Sequence, residues 1–307
     1  VKIFITGAGG MVGKNLIMSF KSSMHQILAP SKAELNFLNY ENVKKFIEKA
    51  EPDLVINCAG RVGGIQANIN SPVSFLVDNV DINRNIILAS KACGVPKMIN
   101  LGSSCMYPKN APNPLREEYI LTGELESTNE GYAIAKIFAQ KLCDYISREN
   151  PKLKYKTLVP CNLYGPFDKF DPENSHLIPA IIHKVSDAIQ NKRTEVEIWG
   201  NGEARREFMY VGDLVDCIQK AIHEFDELPG LMNVGLGEDS SVNEYYKIVS
   251  NILNYQGKFI YDLSKPVGMK QKLISTEKAQ AWGWKHRVSL SEGIDQTINY
   301  YKTIKKD

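Results

Sequence analysis

No run of about 18 consecutive apolar residues occurs in the 307-residue sequence, so a transmembrane helix is not expected. Charge of one sign is not in excess either. Lys and Arg number 37 against 35 Asp and Glu, a formal net charge of +2, and nothing in that balance favours nucleic acid or a membrane surface as partner. The six cysteines (Cys58, Cys93, Cys105, Cys143, Cys161 and Cys217) include no CxxC pair and no cluster at zinc spacing, so no metal is expected. Reduced thiols in a cytoplasmic protein are the natural reading. Internal repeats and low-complexity tracts are missing. The first residues, VKIFITGAGG, read as a strand entering a glycine loop rather than as a signal peptide.

A chain of this length can bury a large core, as one big domain or two smaller ones. Apolar runs at 2–6, 26–29, 54–58, 98–101 and 156–160 have the length and composition of buried strands. Helical stretches at 11–22, 40–50, 72–93 and 130–149 lie between them. This alternation predicts right-handed crossovers and a parallel sheet covered on both faces. Beyond NLYGP at 162–166 the pattern changes: loop-like 167–176, helical 177–191, a strand, a turn and an extended segment over 195–213, then helix 213–225, strand 231–235 and helix 241–254. The expected fold is α/β: a Rossmann-type doubly wound parallel sheet over 1–166, with a smaller mixed α/β substrate domain mainly from 167–307. Segments near 211–240 are expected to return to the first domain.

Strand 2–6 runs into TGAGGMVGKN, which sets Gly7, Gly10 and Gly13 three apart. Such glycines allow a tight turn, close approach of backbone to a pyrophosphate, and close packing of the next helix on the sheet. The helix N-terminus then offers free N–H groups and a positive dipole end to the phosphates. A dinucleotide cofactor follows. Its kind depends on the tip of the second strand, where an acid binds the ribose of NAD and a basic group accepts the 2′-phosphate of NADP. That strand ends near Ala29 and is followed by Pro30, Ser31, Lys32, Ala33 and Glu34. No acid stands at the tip and Lys32 and Ser31 suit a phosphate, so NADPH is preferred; Glu34 leaves NADH open.

The stretch INLGSSCMYP (99–108) is a core strand ending in small polar residues, and strand ends of α/β sheets are where ligands bind. Four Tyr-x-x-x-Lys pairs occur: Tyr40/Lys44, Tyr132/Lys136, Tyr261/Lys265 and Tyr301/Lys305. Only Tyr132/Lys136 lies on the helix directly after that strand, with both residues on one helical face. Ser103, Tyr132 and Lys136 are therefore expected to converge. A lysine ammonium about 4 Å from the phenol, at an effective dielectric near 20, would favour the phenolate by on the order of 4 kcal/mol before desolvation. Tyr132 is then the proton donor to an alkoxide forming at a carbonyl, with Ser103 bonding the same oxygen.

These marks, with NCAG at 57–60, resemble the extended short-chain dehydrogenase/reductase superfamily. The resemblance narrows to the GDP-L-fucose synthase family, the GDP-4-keto-6-deoxymannose 3,5-epimerase/4-reductases. It rests on GMVG (10–13), RVGGIQAN (61–68), LGSSCMYP (101–108), TNEGYAIAK (128–136), PCNLYGP (160–166), NSHLIPA (174–180), REF (206–208) and NVG (233–235), in order over almost the whole chain. It implies C4 reduction of a GDP-4-keto-6-deoxy sugar. Cys105 and His176 would carry C3/C5 epimerisation, since thiol and imidazole both exchange protons near pH 7. Alternatively the enzyme is a C4 reductase only, acting on a related GDP-4-keto sugar such as a heptose derivative epimerised elsewhere.

The implied cofactor contacts are Gly7, Gly10, Met11, Val12, Gly13, Lys32, Asn36, Cys58, Ala59, Leu101, Gly102, Ser103, Lys136, Pro160, Asn162, Leu163 and His176. Lys136 would hold the nicotinamide ribose, and the Pro160–Leu163 backbone would orient the nicotinamide. The substrate would meet Arg206 at its pyrophosphate, Trp199 along the nucleotide, and Lys184 and Ser275. His25, His183, His223 and His286 match no motif. Four positions depart from the family pattern. Gly9, Lys184 and Gln271 each stand where the family has arginine, and Ser275 stands where it usually has aspartate. A homodimer, paired through the helices that carry the Tyr–Lys motif, is the expected assembly; the apolar face of Ile134, Ile137, Phe138 and Leu142 would serve it or else pack on the sheet.

Overall fold

The computed structural model describes residues 1–171, 175–265 and 269–305. Asn174, first residue of the NSHLIPA match, lies outside them.

The first part runs β1 (Lys2–Thr6), α1 (Met11–Ser19), β2 (Gln26–Leu28), α2 (Tyr40–Ala50), β3 (Leu54–Asn57), α3 (Ile65–Asn70), α4 (Pro72–Ala92), β4 (Lys97–Leu101), α5 (Glu130–Glu149) and β5 (Lys154–Pro160). There follow β6 (Asn162–Tyr164), α6 (Leu177–Gln190), β7 (Glu195–Trp199), β8 (Arg205–Arg206), β9 (Phe208–Tyr210), α7 (Val211–His223), β10 (Leu231–Val234), β11 (Ser240–Ser241), α8 (Val242–Leu253), β12 (Lys258–Asp262), β13 (Gln271–Lys272), α9 (Glu277–Ala281) and α10 (Leu290–Ile304).

Six strands form one sheet in the order β10-β5-β4-β3-β1-β2, every pair parallel. Side chains alternate across it, because successive strand residues face opposite ways. Ile3, Ile5, Leu54, Ile56, Ile99 and Leu101 join α1 and α7 in one core layer. Phe4, Val55 and Met98 join α2, α4 and α5 in the other. Strand order reverses at β1, with β2 on one side and β3 on the other. The crevice at the carboxyl ends there is the switch point where α/β sheets bind ligands. A third core, built from Ile178, Ile182, Val196, Ile198, Tyr245, Val249, Ile294 and Ile298, unites α6, α8, α10 and β7.

A chain of buried amides ties the sheet together below the crevice. The Thr6 hydroxyl donates to Asn57 Oδ1 (2.8 Å), and Asn57 donates to Asn83 Oδ1 (2.9 Å) and Asn100 Oδ1 (3.0 Å). The Ala59 N–H donates to the Thr6 hydroxyl (3.2 Å). The loop after β3 is thus fixed to β1 rather than left to wander.

Candidate active site

The glycine loop fits a dinucleotide. Gly7 has φ +70°, and a Cβ there would lie 2.8 Å from the Cys58 carbonyl carbon. On Gly13 a Cβ would lie 2.3 Å from Gly7 O, so α1 packs against the loop only because both positions are bare. Gly10 is the N-cap of α1 and no side chain caps that end, which leaves the first-turn N–H groups of Met11, Val12 and Gly13 for an anion. Around Gly9 a Cβ would meet nothing within 4 Å. At the next strand tip Glu34 is already engaged: it accepts from the Ser31 N–H (2.7 Å), while the Ser31 hydroxyl accepts from the Glu34 N–H (3.4 Å). Ser31 and Glu34 thus pair with each other, and Lys32 is exposed beside them. Asn36, also exposed, closes a turn by accepting from the Leu38 N–H (3.0 Å).

At the end of β4 the chain turns sharply. Gly102 still donates to Leu158 O (2.8 Å), Ser103 is extended at φ −160°, and residues 104–106 form a single 3-10 turn. The Ser103 hydroxyl accepts from the Cys105 N–H (3.3 Å). Tyr132 and Lys136 come in from α5. Burial holds the Tyr132 phenol above its ordinary range; a charge on Cys105 would push it further, and a hydrogen bond with Ser103 pulls it back. Those influences bring Ser103, Cys105 and Tyr132 to one place. Lys136 is 4% exposed, and its ammonium donates to Leu101 O (2.8 Å) while lying 5.8 Å from the centre of the Tyr132 ring. Burial depresses it to about 8, against the opposing pull of Cys58 and Cys105.

The expected direct pull of Lys136 on the Tyr132 hydroxyl is therefore corrected. In this structure the ammonium is held by a strand carbonyl, and burial dominates both groups. Cys58 shares the enclosure, its thiol pushed up to about 12 by burial and drawn back by Lys136.

His176 is the N-cap of α6, with no capping bond from its ring, and burial followed by Lys169 holds its pKa below the usual imidazole value. Its neighbour Ser175 approaches the loop before α3. A Cβ on Gly64 would lie 3.3 Å from Ser175 O, and one on Gly60, in the same 60–65 loop, would lie 3.9 Å from Lys136 Nζ. Beyond β5, Asn162 donates to Glu207 O (2.9 Å), and Pro160 and Leu163 flank the crossing from β5 to β6.

On the substrate side, Lys184 Nζ lies 5.3 Å from the centre of the Trp199 ring and donates to Glu197 O (3.2 Å). Trp199 is 45% exposed. Arg206 is partly buried on β8 and within the field of Glu126, just before the α5 entry. Its neighbour Arg205 is taken by Asp239 (Nε to Oδ1, 2.6 Å), and Gln271 donates to the other oxygen of Asp239 (2.7 Å). Ser275 is 5% exposed, and its hydroxyl accepts from the Glu277 N–H (3.4 Å), which leaves it little surface for a ligand.

Three positions around the site escaped the sequence. Glu207, 1% exposed, accepts from the N–H groups of Leu236 (2.6 Å), Gly237 (2.9 Å) and Ile274 (2.9 Å), clasping two segments of chain behind Arg206. Burial raises this carboxyl to about 7 despite those donors. Its signal was an acid between Arg206 and Phe208, which reads as surface charge. Lys265 places a second ammonium 5.4 Å from the Trp199 ring, and one of the unused Tyr-x-x-x-Lys pairs contains it. Asn129 donates to Cys105 Sγ (3.1 Å); before a helix, an asparagine reads simply as a cap.

A family model described as the NAD dependent epimerase/dehydratase family matches residues 3–235. The GDP-L-colitose synthase of Yersinia pseudotuberculosis is 51% identical over 307 residues, covering all of both chains. The GDP-L-fucose synthase of Azorhizobium caulinodans is 47% identical over 302 residues, 98% of this chain and 96% of that one. Among solved structures, the GDP-mannoheptose C4 reductase from Campylobacter jejuni with NADP bound superposes with a TM-score of 0.88 at 30% identity, covering 98% of each chain.

Proposed function

The chain belongs to the NAD dependent epimerase/dehydratase family, and from that premise we propose that it reduces the C4 ketone of a GDP-4-keto-6-deoxy sugar with NADPH, after inverting carbons beside that ketone. The observation that carries the reading is the convergence of Ser103, Cys105 and Tyr132 at the end of β4, with Lys136 one helical turn behind. Bound NADPH would supply the hydride, and the glycine loop, the open end of α1 and Lys32 would hold its phosphates.

Tyr132 gives its proton to the C4 oxygen as charge develops there, and the Ser103 hydroxyl donates to the same atom. Lys136 holds the nicotinamide ribose and keeps the proton path to Tyr132 supplied. The Pro160–Leu163 backbone orients the nicotinamide. Arg206 binds the pyrophosphate, and Trp199 with Lys184 covers the nucleotide. Epimerisation uses the same carbonyl. Cys105 takes the proton from C3 or C5 as thiolate, the electron pair passes to the C4 oxygen under Tyr132 and Ser103, and His176 returns a proton to the opposite face. Its lowered pKa makes a His176 imidazolium a stronger acid than in water.

Residues 1–166, joined by segments near 211–240, form the dinucleotide part in this reading, and 167–307 form most of the substrate part. The protein works in the cytoplasm, in keeping with six free thiols among the described residues. It works as a homodimer, in keeping with exposed Val73, Val77, Ile134 and Tyr145 on α4 and α5; of the face expected from the sequence, Ile134 is exposed and Ile137 is buried in the core instead. Among the described residues, no helix is long and apolar enough to cross a membrane.

A second reading, C4 reduction alone, is favoured by Ser275 and Gln271, which are occupied within the protein, and by the likeness to a GDP-mannoheptose C4 reductase.

The test is turnover of GDP-4-keto-6-deoxymannose with NADPH in deuterated water, read by NMR of the product. Deuterium is expected at C3 or C5 in the wild type. In Cys105→Ser, whose hydroxyl is too weak a base, hydride transfer should persist while that deuterium disappears. A wild type that incorporates none leaves the reductase reading alone standing. No NADPH oxidation with any GDP-4-keto sugar removes both.

A further inference from the structure

Asn129 occupies the N-cap of α5, where asparagine is among the preferred residues because its side-chain oxygen can accept from the helix's first N–H groups. It makes no such bond. Its amide turns away and donates from Nδ2 to Cys105 Sγ at 3.1 Å. Its Oδ1 is buried with no hydrogen-bond partner. The side chain thus forgoes the capping bond that favours asparagine there, and leaves a polar atom unsatisfied beside a sulfur. Buried orphans of this kind call for an explanation.

The surroundings suit a thiolate. The uncapped N-terminus of α5 is the positive end of a 20-residue helix, and Cys105 lies within electrostatic reach of the buried Lys136 ammonium. A donor aimed at sulfur stabilises S⁻ over S–H, because the bond is stronger to the charged form. Turned over about its last torsion, the same amide would present Oδ1 and accept the S–H proton. One side chain can therefore partner the sulfur in both of its protonation states. The segment carrying it is braced: residues 127–129 form a 3-10 turn packed against α3.

We propose that Asn129 is the positioning residue of the epimerisation half-reaction, orienting Cys105 Sγ and favouring its thiolate. The inference rests on the reading of Cys105 as the proton-exchanging base, yet it can be judged apart from that reading.

The readout is the ultraviolet thiolate absorbance of Cys105 against pH, without substrate, as the difference between each protein and the same protein carrying Cys105→Ser. In Asn129→Ala the midpoint should move up by about one pH unit, the loss of one hydrogen bond to a charged group. In Asn129→Asp it should move further, since a carboxylate opposes the thiolate. Aspartate is also a good N-cap and carries the charge that a helix N-terminus favours, so this variant should melt at or above the wild-type temperature. Deuterium incorporation at C3 or C5 should fall at least tenfold more than hydride transfer does. A midpoint unmoved in Asn129→Asp, or moved down, overturns the proposal. So does a fall in melting temperature that accounts for the lost exchange. Should Asn129→Ala not fold, Asn129→Asp decides alone. If the wild type exchanges no deuterium, the epimerase reading falls, and the absorbance series still decides whether Asn129 tunes the sulfur.

Discussion

Tyr132 and Lys136 are four residues apart, and the structure gives them different electrostatic lives. Burial raises the phenol and lowers the ammonium to about 8. Tyr132→Phe removes only the proton donor, so hydride transfer should fall roughly 10²–10⁴-fold while NADPH binding, followed by fluorescence titration, stays nearly intact. Lys136→Met should lose both. The lysine also makes a pH signature. Its folded pKa lies below its unfolded one, so between about pH 8 and 10.5 the unfolded chain binds more protons and stability rises with pH. Cofactor-free wild type should therefore gain on Lys136→Met across that interval, by on the order of 3 kcal/mol, in denaturant titrations at each pH. A flat difference would show that the ammonium is better solvated than its 4% exposure implies. Sequence could nominate these residues because the spacing along one helix and the position after β4 are one-dimensional facts. It could not tell that Lys136 would reach back to Leu101 O, or that Asn129 would abandon its helix end for a sulfur. Those choices depend on which carbonyl or thiol the fold brings within 3 Å.

Among elements, the β1–α1 junction is tightly constrained, and its glycines are not equivalent. A methyl on Gly13 would press into the Gly7 carbonyl at 2.3 Å, and that neighbour is backbone that cannot rotate away. Gly13→Ala should lower the melting temperature and weaken NADPH binding by about 100-fold, since the helix end must back off from the phosphates. Gly9 has open space where its Cβ would go. Gly9→Arg should fold normally and tighten NADPH over NADH by about tenfold, through a guanidinium–phosphate contact that high salt erases. Equal tightening of both cofactors would place the arginine away from the 2′-phosphate. The strands of the large sheet and helices α1, α2, α4 to α8 were legible because each is an apolar run or an amphipathic repeat of ordinary length. The strand that opens 195–213 was legible too; β12, α9 and α3 were not. β12 is KFIYD, with Phe259 partly covered and Ile260 and Tyr261 largely in solvent, so it lacks the signature of a buried strand. α9 has five residues, too short for a helical period to register. α3, six residues cut from α4 by Ser71 and Pro72, merges with its neighbour in any pattern count.

At the scale of the whole molecule, the sheet's two faces are covered differently. One face lies under α1 and α7, the other under α2, α4 and α5. On α4 the exposed residues Val73, Val77 and Arg84 follow one stripe, spaced four and then seven apart; on α5 Ile134 and Tyr145, eleven apart, do the same. Both helices bury their opposite sides, Ile86 and Ile87 or Ala139 and Cys143, in the same core layer, so both stripes look outward from one side of the molecule. Scattered apolar residues on a surface need no explanation, but two neighbouring stripes on packed helices suit a helix-on-helix contact between copies. Such a dimer would brace the α5 segment that carries Tyr132 and Lys136, and the turn before it that carries Asn129. Sedimentation velocity at micromolar concentration should report a dimer. Replacing Val77 and Ile134 together by glutamate should shift it to monomer without lowering helicity, because neither side chain contributes to the buried layer. The monomer should lose turnover more than it loses NADPH affinity, since the helix end proposed to hold the cofactor phosphates belongs to α1, across the sheet from α4 and α5. A double variant that stays dimeric would move the interface to another face. One that becomes monomeric with full activity would show that α5 holds its catalytic residues without help.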